Sequence, residues 1–130
     1  MIIDNIPIYY QITKNKRQGL NLNSYRNNHY QRNNKMKKEF AKVFQLLISG
    51  MDNAVLRPPL ALVYTITRGT ARKADLGNIG AVLDKFCSDS LVEFGLLADD
   101  NTEYIKEIIF RDGGIDKQNP HAKLEIKSMA

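Results

Sequence analysis

The order of apolar and polar positions changes period several times along this 130-residue chain. Residues 2–13, IIDNIPIYYQIT, are rich in Ile and Tyr and alternate in part, which predicts a strand over 8–13 and a short piece at Ile2-Ile3. Pro7 separates the two, because proline has no N–H for a strand ladder. Over residues 35–52, Phe40, Val43, Phe44, Leu47 and Ile48 fall on one stripe of a helix. Asn33 or Asn34 is the expected N-cap, and Gly50 the stop. A connector closed by Pro58-Pro59 leads to residues 60–67, LALVYTIT, an apolar and β-branched run that predicts a central strand buried on both faces. A second helix is expected from Leu76 or Asn78 to Phe94, with Ile79, Val82, Leu83, Phe86, Ser90 and Phe94 inward and Gly95 as terminator. Strands follow over 102–111 and 121–128, with Asp112-Gly113-Gly114 as a turn signal.

The order β-α-β-α-β-β predicts a single small α+β domain, its mixed or mostly antiparallel sheet packed by two main helices. The length suits one domain with a real core. No apolar run comes near the ~20 residues that cross a bilayer. The opening MIIDNIPIYY lacks the basic region of a signal peptide. One cysteine, Cys87, excludes an intrachain disulfide and a cysteine-cluster zinc site, and a reducing cytoplasm is the expected setting.

The net +5 is not spread evenly: residues 1–38 carry eight Lys/Arg against one acid, Asp4, while residues 39–130 carry eleven against thirteen. A basic block of this kind implies a polyanionic partner. Residues 14–34 have no apolar period and read as a loop rich in asparagine. Lys14, Lys16, Arg17, Arg26 and Arg32 are interleaved there with Tyr25, His29 and Tyr30, and Lys35, Lys37 and Lys38 follow. Cations neutralise phosphate, amides bond to it, and aromatic faces stack on bases, so this pattern suits nucleic acid. Arg68, Arg72 and Lys73, after the central strand, extend the basic set. The lysines near the helix start oppose the helix dipole, which an anion docked there would relieve.

Candidate chemistry lies in residues 75–101. Asp75 follows the basic loop, Asp84, Lys85 and Asp89 ride on the second helix, and Asp99-Asp100 close the stretch. Grouped aspartates are hard oxygen ligands of the kind that hold Mg²⁺ or Mn²⁺, and paired ions of this type cleave phosphodiesters. No glycine-rich phosphate loop is present, and neither His29 nor His121 has the setting of a catalytic triad.

Several short segments carry a resemblance: Asp75-Leu76-Gly77-Asn78, then Asp84-Lys85-Phe86, Asp89-Ser90-Leu91, Gly95 and Asp99-Asp100-Asn101, preceded by IPIYY and SYRNNHYQRNNKMKK. Together they resemble the RusA family of Holliday junction resolvases, especially its bacteriophage-encoded members. The resemblance implies a homodimeric, Mg²⁺-dependent endonuclease that resolves four-way DNA junctions in the cytoplasm of a bacterium or phage-infected cell. Carried over by position, it implies Asp75 and Asp100 as metal ligands and Lys85 as the active-site lysine. Asn78 and Asp89 become supporting groups, and Asp99 a further ligand or support. The family's second aspartate corresponds to Gly77, and Lys85 lies seven residues after Asn78 instead of three. Asp84 is the expected replacement ligand. If none compensates, the expectation becomes a protein that binds junctions or other nucleic acid, RNA included, without cutting.

Overall fold

The computed structural model describes residues 1–51, 56–71 and 75–129. Six strands and three helices follow in the order β1 (Ile2–Pro7), β2 (Tyr9–Thr13), β3 (Lys16–Gly19), α1 (Leu22–Asn27), α2 (Tyr30–Ile48), β4 (Leu60–Arg68), α3 (Leu76–Glu93), β5 (Ile105–Ile115) and β6 (His121–Ser128). This is the expected small α+β domain with a mixed sheet. The four-stranded sheet runs β1-β6-β4-β5, and β2-β3 form a separate hairpin. β4 pairs antiparallel with β6 and parallel with β5, so α3 is the crossover between two parallel neighbours.

β4 lies inside the sheet, as its apolar run predicts. Leu60, Leu62, Tyr64 and Ile66 point to the helices and are essentially inaccessible. Their alternates face the other way, where Val63 stands between Ile109 and Glu125 in register. On that face Glu125 meets Lys123 and Lys127 at 3.5 and 3.8 Å, so charged side chains cover the apolar spine.

α2 buries Met36, Phe40 and Phe44, one turn apart. α3 buries a wider arc that includes Val82, Leu83, Phe86, Cys87 and Leu91, because it is wedged between the sheet and the other two helices. Gly80 lets it approach β5: a Cβ there would stand 2.6 Å from the Phe110 ring. α3 ends as predicted at Gly95, whose φ of 77° is left-handed, with the Leu96 N–H bonded to the Leu91 carbonyl at 2.9 Å.

Four expectations need correction. The strand predicted over 8–13 is β2, but residues before Pro7 form a full strand on β6 rather than a short piece. A bulge lies between Ile3 and Ile6, where Asn5 takes a positive φ of 56° that asparagine tolerates. Residues 14–34 are not one loop: they hold β3, α1 and the first turn of α2. Asn21 caps α1 by accepting from the Asn23 and Ser24 N–H groups. Asn28 and Asn33 join β3, α1 and α2 through Gln18 and the Tyr25 carbonyl. α2 therefore starts at Tyr30, capped by His29 rather than Asn33 or Asn34. Finally, Asp112-Gly113-Gly114 is no hairpin turn. The register slips between Ile66 and Arg68, and the two glycines form a bulge inside β5. The chain reverses later, where the Asp116 carboxylate accepts from the Gln118 and Asn119 N–H groups.

Candidate functional site

The basic segment becomes a shaped surface. Lys14 and Asn15 turn the β2-β3 hairpin, and Lys16 and Arg17 begin its second strand, all exposed. Arg17 lies 4.6 Å above the Tyr9 ring, a cation–π contact that holds the guanidinium in place. Lys35, from the second turn of α2, donates to the Ile12 carbonyl at 2.9 Å and fixes the hairpin against the helix. Arg26 closes α1, and Arg32 stands in the first turn of α2, at the positive end of its dipole. Lys37 and Lys38 lie farther along the helix than the sequence suggests, because α2 starts earlier.

Ion pairing separates these cations. Lys37 meets Asp89 at 2.9 Å. Among the described residues, Lys14, Lys16, Arg17, Arg26, Arg32, Lys35 and Lys38 have no carboxylate within 4.0 Å. Arg68 lies 3.7 Å from Asp112. Arg72 and Lys73 lie outside the described residues.

The aromatics divide. His29 and Tyr30 are exposed, with ring centres 4.5 Å apart, and Tyr30 is 66% accessible. Tyr25 is partly buried and packs edge-on against Phe86 at 6.0 Å.

The acids do not form one set. Asp75 is the N-cap of α3 and accepts from the Gly77 N–H at 2.8 Å. A Cβ on residue 77 would stand 3.1 Å from that carboxylate oxygen, so Gly77 makes room for the cap. Asn78 shares with Asp75 a groove between α3 and the hairpin, lined also by Tyr9, Gln18 and Arg68. Asp84 lies nine residues along the helix, about 13 Å in axial rise. Ligand oxygens sit ~2–2.6 Å from their ion, so one metal, or two ~4 Å apart, does not link Asp75 to Asp84.

Asp84 is the chemically distinctive acid. It is half-buried and accepts from the Tyr64 hydroxyl at 2.7 Å and from Ser88 at 3.2 Å. Burial is the main force pushing its pKa up. The charges of Asp100 and Asp89 push the same way, and the two hydrogen bonds oppose them. Burial also pushes the Tyr64 hydroxyl and the Cys87 thiol well up, so both stay protonated at neutral pH. Lys85 is exposed and lies 3.9 Å from Asp89, whose pair with Lys37 joins α3 to α2. Asp99 is engaged in its own turn, accepting from the Asp100 N–H at 2.7 Å and the Asn101 amide at 3.2 Å. Among the described residues, no three His, Cys, Asp or Glu side chains stand close enough to hold a metal ion. Of the expected ligands Asp75, Asp84, Asp99 and Asp100, Asp75 stands apart from Asp84 along the helix, whereas the charge of Asp100 acts on Asp84.

Tyr64 and Ser88 are absent from the sequence-based set. The signal for Tyr64 is a tyrosine inside a buried strand, whose hydroxyl needs a partner.

The raised pKa of Asp84 has a consequence for stability. The native state keeps this proton to higher pH than the unfolded chain, so stability falls as pH rises from 3.8 through the folded value, and the penalty persists at neutral pH. Asp84→Asn retains an oxygen that accepts from Tyr64 and Ser88 but carries no charge. Urea denaturation is expected to find the variant more stable than the parent at pH 7, with the advantage gone near pH 3. An equal difference at both pH values would show that the Asp84 charge is not strained.

Comparisons of the chain with protein-family models and with curated proteins find no match.

Proposed function

We propose that this chain is a nucleic-acid-binding domain that docks on the phosphate backbone of branched DNA. The observation carrying this reading is the group of seven cations around the β2-β3 hairpin, α1 and the start of α2 without carboxylate partners among the described residues. Unpaired cations on a folded surface repel one another, and a polyanion relieves that repulsion while releasing its counterions. The exposed His29-Tyr30 pair adds a surface for stacking on a sugar or an unpaired base. The preference for a branched substrate rests on the resemblance to the RusA resolvases.

Binding is put ahead of cutting because Asp75, the N-cap of α3, is far from Asp84 along the helix and Asp89 is taken by Lys37 and Lys85. Metal-dependent nicking, the further activity that the resemblance implies, would centre on Asp84, Lys85, Asp89 and Asp100, with Asp75 out of reach. Among the described residues no helix is long and apolar enough to cross a membrane.

The test is fluorescence anisotropy with a labelled four-way junction, a linear duplex of the same sequence and a single-stranded RNA, all in chelator. A second arm incubates the junction with Mg²⁺ or Mn²⁺ and resolves the strands on a denaturing gel. Tightest binding to the junction, with strands uncut, is the expected result. Equal affinity for linear duplex would remove the junction preference, and tighter binding to RNA would replace DNA as the ligand. Nicks that disappear in Asp84→Asn would restore the nuclease reading.

A further inference from the structure

A groove of about 460 Å³ opens between the β2-β3 hairpin, α1 and the start of α3. Its apolar lining includes Ile8 and Leu20, both buried, and Ile79. Tyr9 stands on the hairpin side, with Arg17 over its ring at 4.6 Å. Gly19 beside it adds no side chain: a Cβ there would stand 3.0 Å from the ring. Among the described residues, the Ser24 hydroxyl and the half-buried Asn78 side-chain amide in this groove make no hydrogen bond. One Asp75 oxygen accepts from the Gly77 N–H, and the other has no partner among the described residues. Asp75 and Asn78 are three positions apart at the start of α3, where such side chains are neighbours, and the Asn78 N–H bonds to the Asp75 carbonyl at 3.0 Å.

We propose, on the reading that this chain binds nucleic acid, that the groove takes one unpaired base, guanine ahead of the others. An apolar lining with a few polar groups suits a flat ring with a polar edge. A phosphate is disfavoured there, because the Asp75 carboxylate repels it. An ionised carboxylate only accepts, so Asp75 calls for a base edge with adjacent donors. Guanine presents N1–H and N2–H side by side, with O6 next to them to accept from the Asn78 amide. Thymine sets its one N–H between two carbonyl oxygens, which the carboxylate repels. A base offers this edge only when it is unpaired and out of the stack. The exposed Lys16 and Arg17 stand on the same hairpin as Tyr9, so a backbone drawn to those cations is brought to the groove.

The experiment is fluorescence anisotropy in chelator with labelled DNA duplexes that carry one unpaired nucleotide at the centre: guanine, adenine, cytosine, thymine or an abasic residue. The parent is expected to bind the guanine duplex about tenfold more tightly than the thymine or abasic one. Asp75→Asn keeps an oxygen for the helix cap and loses the charge. Asn78→Ala loses the donor to O6. Within each variant the guanine and abasic duplexes are expected to bind alike, a ratio that partial unfolding does not change. A parent that prefers another base, or binds guanine and abasic duplexes alike with a steep salt dependence, would overturn the base site and leave the cation surface standing. A guanine preference untouched by both variants would also overturn it, by placing the base elsewhere, as on the His29-Tyr30 pair. No binding to any of the duplexes would overturn it together with the reading on which it rests.

Discussion

Replacing Phe86 by alanine is expected to lower stability by about 3–5 kcal/mol, the usual range for a fully buried phenylalanine. Its ring is 1% accessible and stands where three helices meet. Phe40 of α2 stands edge-on at 5.4 Å, and Tyr25 of α1 at 6.0 Å. Phe40 in turn stacks on Phe44 at 5.7 Å and leans on Tyr10 of β2 at 5.7 Å. Phe86 is therefore the point where the hairpin, α1 and α2 lock onto the crossover helix. α1 buries no residue of its own fully, so it depends on this junction more than the sheet does. Equilibrium denaturation in urea checks the magnitude, and hydrogen exchange checks the location. The α1 amides should lose protection before those of β4. A destabilisation below ~1 kcal/mol would mean that the cavity collapses or that the aromatic cluster is not the support described.

The second large effect concerns the cation surface. Replacing Lys16, Arg17, Arg26 and Arg32 together by alanine is expected to weaken nucleic-acid binding far more than it weakens the fold. Three of the four are exposed. Arg17 contributes a single contact over Tyr9, and none of them bonds to a carboxylate among the described residues. For every cation withdrawn from a phosphate, the slope of log affinity against log salt becomes shallower by about one. The drop in affinity is therefore greatest at low salt and shrinks as salt rises. Removing Lys37 should do less, because that lysine already neutralises Asp89.

The elements legible in the sequence are those written in apolar period. β4 announces itself as eight residues of nearly unbroken apolar and β-branched character, and it lies between two neighbours. The stripes of α2 and α3, and the glycine that ends α3, follow from the same logic. β3 and α1 are hidden because polar side chains hold them. Asn21, Asn28, Asn33 and Gln18 spend their amides on caps and joints, which leaves no hydrophobic signal. The glycines at 113 and 114 mislead for a related reason: the positive φ of Gly114 serves a bulge as well as a turn.

The candidate site is legible by composition and not by geometry. The basic block and its exposed aromatic pair are visible in the residue order. Asp75 has the chemistry of a ligand, although an aspartate directly before a helix is first a cap. The setting of Asp84 depends on Tyr64, twenty residues earlier, and their hydrogen bond exists only once α3 lies on β4.

On the proposed reading, the cations of the hairpin, α1 and α2 that have no carboxylate partner among the described residues meet a nucleic-acid backbone. Its most direct test is the salt dependence of affinity for a four-way DNA junction, measured for the parent and for the variant lacking Lys16, Arg17, Arg26 and Arg32. A steep negative slope is expected for the parent, about −0.9 for each phosphate neutralised on duplex arms, and a slope shallower by about four in the variant. A parent with no measurable salt dependence, or a variant whose slope matches the parent's, would contradict it.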